Sequence, residues 1–290
     1  MMTREARIEP PMPFDVSRFL GISFANESFD WLFRQVEHRA NQILDSFGPY
    51  VGSDPKATEY LLAHAKNYLY FVCLPSVEIS GVDLVGADAG SVMNSILLQF
   101  RLANHSRFLD NIFDSDFRYR SHLLSMVTFD VFMDSLTDTF GPALRDDFLD
   151  VYKEAFEYHQ AQLHALPSND DLLNIYWKRI SYFYWLPMQW TRHLPDRAER
   201  LLCLENFLNS LLLKNDIDGY DKDISDDIVT YANFDYFRTS SHVDLTEIGR
   251  TRLHLLNRVL DTATRIPLPY TEQLAKATLK LGSARRPFWL

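Results

Sequence analysis

Apolar residues recur every three or four positions along nearly the whole chain, the spacing of one face of an α-helix. The first apolar stripe lies between Asn26, a potential N-cap, and the pair Gly48-Pro49, which favours a helix end. No segment shows the strict alternation of a half-buried strand. The pattern therefore predicts an all-α fold, with later helices at roughly 54–75, 88–115, 119–138, 143–165, 170–190, 196–224, 243–264 and 268–283.

The connections between most of these helices are short, so successive helices should be antiparallel neighbours in one bundle. Counting directions along the chain, helices 88–115 and 196–224 are expected to end on the same side, and the C-terminal segment SARRPFWL returns to that side. Segments 76–87 and 225–242 lack helical periodicity and are predicted to be irregular, as potential lids. We therefore expect a single helical domain over 26–290, preceded by an N-terminal extension over 1–25.

Both helices that end on that common side carry a cluster of acidic residues. Helix 88–115 ends in RFLDNIFDSD (107–116), where Asp110 and Asp114 share one face of a helix. Helix 196–224 ends in NDIDGYDKD (215–223), where Asn215, Gly219 and Asp223 share a face. A glycine at this position costs a helix about 1 kcal/mol relative to alanine, which indicates a purpose other than helix stability.

Composition narrows the range of partners. The 290 residues are 47% hydrophobic and 14% aromatic, which is typical of a globular chain. A formal net charge of −10 argues against a nucleic-acid footprint, which needs a basic face. No apolar run reaches the ~18 residues of a membrane span, the N-terminus lacks the apolar core of a signal peptide, and both cysteines fall in apolar helical patterns. These features predict a cytoplasmic protein, and they leave a homodimer open.

A solvated acidic surface is the simplest interpretation of either cluster. A calcium-binding EF-hand loop is excluded because its obligatory glycine would fall at Asp221 or Asp226, and no Glu-x-x-His pair supports a di-iron site. Mg²⁺ fits better, since it is commonly held by one or two carboxylates together with substrate phosphates. Two facing acidic segments with few other ligands therefore favour a complex of Mg²⁺ with a diphosphate.

The segment 215–223 resembles the second metal motif of class I terpene synthases, Asn-Asp-x-x-Ser/Thr/Gly-x-x-x-Glu/Asp, and 107–116 resembles a divergent first aspartate-rich motif of isoprenoid synthases. The glycine and the final aspartate of the second motif are similar to those of compact bacterial diterpene synthases of the ent-kaurene synthase type. The resemblance implies an isoprenoid-synthase bundle around a central cavity. It also implies about three Mg²⁺ ions with substrate bound, held by Asp110, Asp114, Asn215 and Asp223.

Other roles are implied by the same resemblance. Lys222 and Arg179 would contact the diphosphate, Arg179 as its sensor, and Arg285 or Arg286 would close over it from the C-terminus. The activity implied is ionisation of a linear farnesyl or geranylgeranyl diphosphate, or of a cyclised diterpenyl diphosphate, followed by cyclisation of the carbocation. Aromatic faces steady such a cation, and the candidate pocket residues are Tyr68, Phe71, Phe100, Trp177, Tyr182, Phe183 and Trp185.

Three alternatives stay open. The sequence Arg-Phe-Leu-Asp-x-x-x-Asp is also similar to the motif of squalene and phytoene synthases, which join prenyl chains, so a chain-joining or chain-elongating prenyl transferase is one. A prenyl transferase acting on a non-isoprenoid acceptor is the second. The third is a helical interaction module without catalysis, whose acidic end docks a basic partner.

Overall fold

The protein is a helical bundle. The computed structural model describes residues 27–51, 68–84, 89–113, 121–159, 168, 175, 178–241 and 244–280, and within these ranges every regular element is a helix. We number the α-helices α1 (Glu27–Ser46), α2 (Gly48–Val51), α3 (Leu74–Ile79), α4 (Ala89–Phe113), α5 (Ser121–Phe140), α6 (Pro142–His159), α7 (Tyr182–Trp190), α8 (Arg197–Ser225), α9 (Phe234–Thr239), α10 (Leu245–Ala263) and α11 (Pro269–Lys280).

One main hydrophobic core joins most of these helices, and a smaller one supports the end of α8. The main core contains apolar faces of α1, of α3 to α8, and of α10 and α11. The smaller core consists of Leu213, Ile217, Tyr220, Ala232 and Ile248, and it packs the C-terminal half of α8 against the start of α10. The acidic end of α8 is therefore fixed by apolar packing on its opposite face.

Two neighbouring helices, α5 and α6, pack together across a very short connection, and the antiparallel direction of the other neighbours stays a prediction. Gly141 alone joins α5 to α6, with a left-handed φ of +83° that glycine adopts without strain. Its N–H donates to the Thr137 carbonyl at 2.8 Å, which closes the last turn of α5. Pro142 then begins α6, where its missing N–H is of no consequence. A one-residue connection leaves the chain no room except to reverse.

Pro75 does not end the second predicted helix, and the prediction of irregular structure from residue 76 is wrong as far as Ile79. A five-residue π-helical segment, Leu69–Cys73, leads directly into α3. A π-helix pairs each carbonyl with the N–H five residues later. Pro75 has no N–H to offer to the Tyr70 carbonyl, and the Tyr270 hydroxyl on α11 donates to that carbonyl instead, at 2.8 Å. A distant side chain thus satisfies the group that the proline leaves open.

Two further boundaries differ from the predictions. The stretch 225–242 was predicted to be irregular, but it contains the short helix α9. Within the predicted helix 170–190, Ile175 and Lys178 are helical, but residues 179–181 form turns before α7 begins at Tyr182, and the N–H of Ser181 donates to the Lys178 carbonyl at 3.1 Å. Turns of this kind interrupt an apolar pattern without changing its spacing, so periodicity alone does not locate them.

No helix in the described ranges is long and apolar enough to cross a membrane. The predicted extension 1–25 lies outside the described residues, so the domain boundary stays a prediction.

Candidate active site

The two acidic helix ends meet at one end of the bundle. Asp110 lies in the last turn of α4 and Asp223 in the last turn of α8. Burial raises the pKa of Asp223 to about 6; the adjacent Lys222 opposes the increase, and the negative charges of Asp226 and Asp110 add to it. The contribution of Asp110 is the smallest of these, but the effect of one charge on another falls off with distance, so the two carboxylates lie on the same side of the bundle. Residues far apart in sequence are therefore neighbours here.

Asp110 is partly exposed and already has one cationic neighbour. The guanidinium of Arg107, one turn earlier, donates from Nη1 to Oδ2 of Asp110 at 2.9 Å. The Asp110 side chain is 44% exposed, so this ion pair is solvated and holds the carboxylate only weakly. Asp110 thus remains accessible from the surface of the bundle.

Gly219 lies directly beneath the Asp223 carboxylate. A Cβ placed on Gly219 would approach Oδ2 of Asp223 to 3.0 Å and Oδ1 to 3.3 Å. Because glycine has no side chain, the Asp223 carboxylate can lie against α8 at this position. Asn215 lies one turn before Gly219 and is exposed. The residues of the second motif thus form a strip that begins at the exposed amide of Asn215 and ends at the half-buried carboxylate of Asp223.

The other side of the same motif is a buried ionic cluster that sequence analysis missed. Lys214 forms an ion pair with Asp218 one turn later, and both side chains are largely buried. Arg252 of α10 has no exposed surface, and the charge of Asp218 partly offsets the lowering of its pKa by burial. The cluster ties α8 to α10 directly behind Gly219. Arg252 lies on the apolar face of α10, four residues after Ile248 and four before Leu256, and that spacing is the signal that would have identified it.

Aromatic side chains lie next to Asp110. Burial raises the pKa of Tyr182, the first residue of α7; a hydrogen bond with the Ser106 hydroxyl opposes the increase, and Tyr152, Asp110 and Tyr68 add to it. Tyr182 stacks on Phe183 with ring centroids 4.9 Å apart. Three of the predicted pocket residues, Tyr68, Tyr182 and Phe183, are therefore brought to the acidic end.

Other predicted pocket residues are packed in the main core. Phe71 and Phe100 are at most 5% exposed. Trp185 is fully buried and meets the rings of Phe140 and Phe148 edge to face. Its indole N–H donates to Oδ2 of Asp147 at 2.8 Å. Trp185 thus has partners for both its ring and its polar atom.

The predicted diphosphate contacts within the described residues lie near the same end. Arg179 is half-buried in the turn that precedes α7, three residues before Tyr182. Lys222 is exposed, and its Nζ lies 3.2 Å from Oδ2 of Asp226. Such an exposed pair contributes little to stability. Four predicted site residues lie outside the described residues, namely Asp114, Trp177, Arg285 and Arg286.

Tyr152 and His105 extend the aromatic group and were also missed. The Tyr152 ring meets Tyr182 edge to face at 5.6 Å. Nδ1 of His105 lies 3.1 Å from the Ser125 carbonyl, which can only accept, so Nε2 accepts from the Tyr152 hydroxyl at 2.7 Å. Burial lowers the pKa of His105 to about 4, so the imidazole is neutral. A tyrosine on an amphipathic helix carries no signal that would have identified it.

The arrangement suits a hard divalent cation that completes its shell with other oxygen atoms. Within the described ranges, no three histidine, cysteine, aspartate or glutamate side chains form a ready-made metal site. Asp110 and Asp223 instead lie close enough for the charge of one to raise the pKa of the other, and a cation between them would relieve that repulsion. One or two carboxylates with water and phosphate oxygens are what Mg²⁺ commonly uses. The residues present therefore fit Mg²⁺ bound together with a phosphate-bearing ligand.

Searches with this chain found no matching family model, curated protein or solved structure.

Proposed function

We propose that the protein is a class I terpene synthase, which ionises an allylic prenyl diphosphate with Mg²⁺ and cyclises the resulting carbocation. The observation that carries the proposal is the proximity of Asp110 and Asp223, from two motifs on different helices. The aromatic group at Tyr182, which is electrostatically coupled to Asp110, supports it further. A bundle of the isoprenoid-synthase type with a cavity below this end is part of the same proposal.

In this proposal the acidic end binds the diphosphate and the aromatic group receives the hydrocarbon. Bound Mg²⁺ would supply positive charge to the leaving diphosphate. The allylic C–O bond breaks, its electron pair leaves with the diphosphate, and positive charge remains on carbon. Tyr182 is neutral at pH 7, as an ordinary tyrosine is, and burial raises its pKa further. Its neutral ring, with that of Phe183, therefore offers π-faces to the cation, worth roughly 0.5–2 kcal/mol each.

The cationic side chains have complementary roles. Arg179 and Lys222 would hold diphosphate oxygens, and Asn215 would contribute its amide oxygen to the metal from the exposed part of the strip. Because Asp223 binds a cation only when ionised, and its pKa is about 6, metal affinity and turnover should fall as the pH drops through 6. This pH dependence is unusual for a carboxylate ligand, whose ordinary pKa is near 4.

The test is Mg²⁺-dependent release of diphosphate from ten-, fifteen- and twenty-carbon prenyl diphosphates, with mass spectrometry of the products. Asp223→Asn should lower kcat/KM at least a hundredfold, which is about 2.7 kcal/mol. Asp221→Asn is the matched control, since Asp221 is exposed on the same helix and about 200° around it from Asp223. Its kcat/KM should change less than threefold.

The outcomes separate the alternatives. Products that are longer than the substrate and need isopentenyl diphosphate would indicate a chain-elongating transferase. Dimeric prenyl products would indicate head-to-head joining, and turnover that needs a non-isoprenoid acceptor would indicate the other transferase. If no diphosphate is released from any substrate, and Mg²⁺ with diphosphate does not stabilise the fold, the enzyme proposal fails and an interaction module is favoured.

A further inference from the structure

A recess lies at the other end of the bundle from the acidic helix ends. It is a cleft of about 360 Å³ between the first half of α4 and the C-terminal ends of α3, α5 and α7. Asn94 of α4 lines it, sixteen residues before Asp110 on the same helix. At 1.5 Å per residue the two positions are about 24 Å apart. The cleft is therefore separate from the acidic end.

The walls of the cleft are held in place by specific contacts. Gly81 has a φ of +87°, and a Cβ there would lie 2.5 Å from Cδ1 of Leu194. Only glycine lets the Leu194 side chain take its place in the wall. Phe140, on another wall, meets the buried ring of Trp185 edge to face at 5.9 Å. Fixed walls mean that a ligand would enter a recess that is already formed.

The chemistry of the lining defines what the cleft can hold. All of its lining residues are uncharged. Phe140 and Trp190 provide aromatic surface, whereas Asn94, Ser95 and Thr139 provide amide and hydroxyl groups that both donate and accept hydrogen bonds. The guanidinium of Arg200 lies beside Gly81, but it is already bonded to Asp196 and to the Ile79 carbonyl. A charged ligand would therefore lose hydration in the cleft without gaining an unpaired opposite charge, which is unfavourable. The volume is at the small end of the range for small-molecule sites, about 300–1,000 Å³.

We propose that this cleft binds an uncharged, ring-containing small molecule that bears an amide or hydroxyl group. The ring packs against Phe140 and Trp190, and the polar group bonds to Asn94 and the neighbouring hydroxyls. The proposal does not depend on the function proposed for the acidic end, since no residue is shared between the two sites.

Three compounds of nearly equal shape test the predicted charge preference: benzamide, benzoate and benzylammonium. Binding is measured by ligand-detected NMR titration of the full chain. Benzamide should bind with a Kd of about 1 mM, as expected for so small a ligand. The two charged compounds should bind at least tenfold more weakly. Equal binding of all three, or no binding of benzamide up to 20 times that concentration, would overturn the proposal.

Two substitutions locate the binding. Ser95→Phe fills the cleft and should weaken benzamide binding at least tenfold. Asn94→Leu removes the amide and should weaken it about three- to tenfold, as for loss of one hydrogen bond; Asn94 is exposed, so this variant should fold normally. Asn257→Leu, the same change at an exposed position of α10 outside the cleft, is the control and should leave the Kd unchanged. Unchanged binding in both cleft variants would contradict the proposal.

Discussion

Glu78 and Asp223 are both carboxylates whose pKa is raised by burial, but their surroundings are opposite. Glu78, in α3, accepts from the N–H of Tyr270 at 2.9 Å and from both the N–H and the hydroxyl of Thr271 at 2.7 Å. Asp223 instead faces the negative charges of Asp226 and Asp110, and among the described residues it is the exposed Lys222 that opposes them. The protein supplies the donors that the first carboxylate needs and leaves the second with excess negative charge.

This difference separates a structural carboxylate from a candidate ligand-binding one. Glu78 caps the N-terminus of α11, where backbone N–H groups have no partner within the helix. It thereby ties α11 to α3. Asp223 makes the unliganded fold less stable, and a bound cation would remove that penalty. Perturbed carboxylates of the second kind are those expected at functional sites.

The largest predicted effect on stability is at Glu78. Glu78→Gln replaces one acceptor oxygen by an NH₂ group, which must then face an N–H of α11 or its Thr271 hydroxyl. A buried donor left without an acceptor costs about 1–3 kcal/mol. We expect the free energy of unfolding in urea at pH 7 to fall by about 2 kcal/mol.

Glu247→Gln is the control for this change, because Glu247 is exposed on α10. Its unfolding free energy should stay within about 0.5 kcal/mol of the wild-type value. If Glu78→Gln also changed the free energy of unfolding by less than about 0.5 kcal/mol, the carboxylate would not be what holds α11 in place. The contrast with Asp223 would then disappear.

The corresponding change at Asp223 should have the opposite sign. Because the folded-state pKa is about 6 and the ordinary value is 3.8, the folded protein binds a proton more readily than the unfolded chain. The stability from this group is present below pH 4 and is lost as the pH rises through 6. The free energy of unfolding of Asp223→Asn, relative to that of the wild type, should therefore increase by about 1 kcal/mol between pH 4 and pH 7. This figure is reduced to allow for the partial exposure of the Asp223 carboxylate.

The measurement is urea unfolding of both proteins at pH 4 and pH 7 in a chelating buffer. Adding Mg²⁺ with diphosphate at pH 7 should then stabilise the wild type and not Asp223→Asn, because a ligand stabilises only the state that binds it. Asp221→Asn should follow the wild type in every condition. A stability gap that is the same at both pH values would contradict the raised pKa.

The sequence predicted one of these carboxylates and not the other for a physical reason. Asp223 belongs to a local pattern, since Asn215, Gly219 and Asp223 repeat at helical spacing and their shared face can be read from the chain. Glu78 acquires its role only through residues about 190 positions away. Pro75, just before it, even indicated a helix end. Long-range contacts of this kind leave no local signal.

The same distinction applies to the fold and the rest of the site. Helical periodicity predicted the all-α class and the direction of α4 and α8, because both depend on local spacing and short connections. It did not predict the Ser106–Tyr182 contact, in which polar groups of two helices meet. Burial of a charged or polar side chain depends on which helix packs against it, and periodicity does not specify that.

The smallest predicted effect on stability, and the finest test of the contrast, is Gly219→Ala. Alanine favours helix formation by about 1 kcal/mol over glycine. Its Cβ would, however, meet the Asp223 carboxylate at 3.0 Å and push it away from α8. The carboxylate is the end of a short side chain and can rotate, so part of the gain should survive. We expect a net stabilisation of about 0.5 kcal/mol or less and a weaker stabilisation by Mg²⁺ with diphosphate.

A double-mutant cycle isolates the contact between these two residues. In an Asp223→Ala background the new methyl group meets no carboxylate, so Gly219→Ala should give the full gain of about 1 kcal/mol. The difference between the two backgrounds measures the cost of displacing Asp223 from its place over Gly219. Equal effects in both backgrounds, with an unchanged response to Mg²⁺ and diphosphate, would mean that Gly219 does not position Asp223. The glycine would then be an unexplained cost to α8, and the idea that this helix end trades stability for ligand binding would lose its main support.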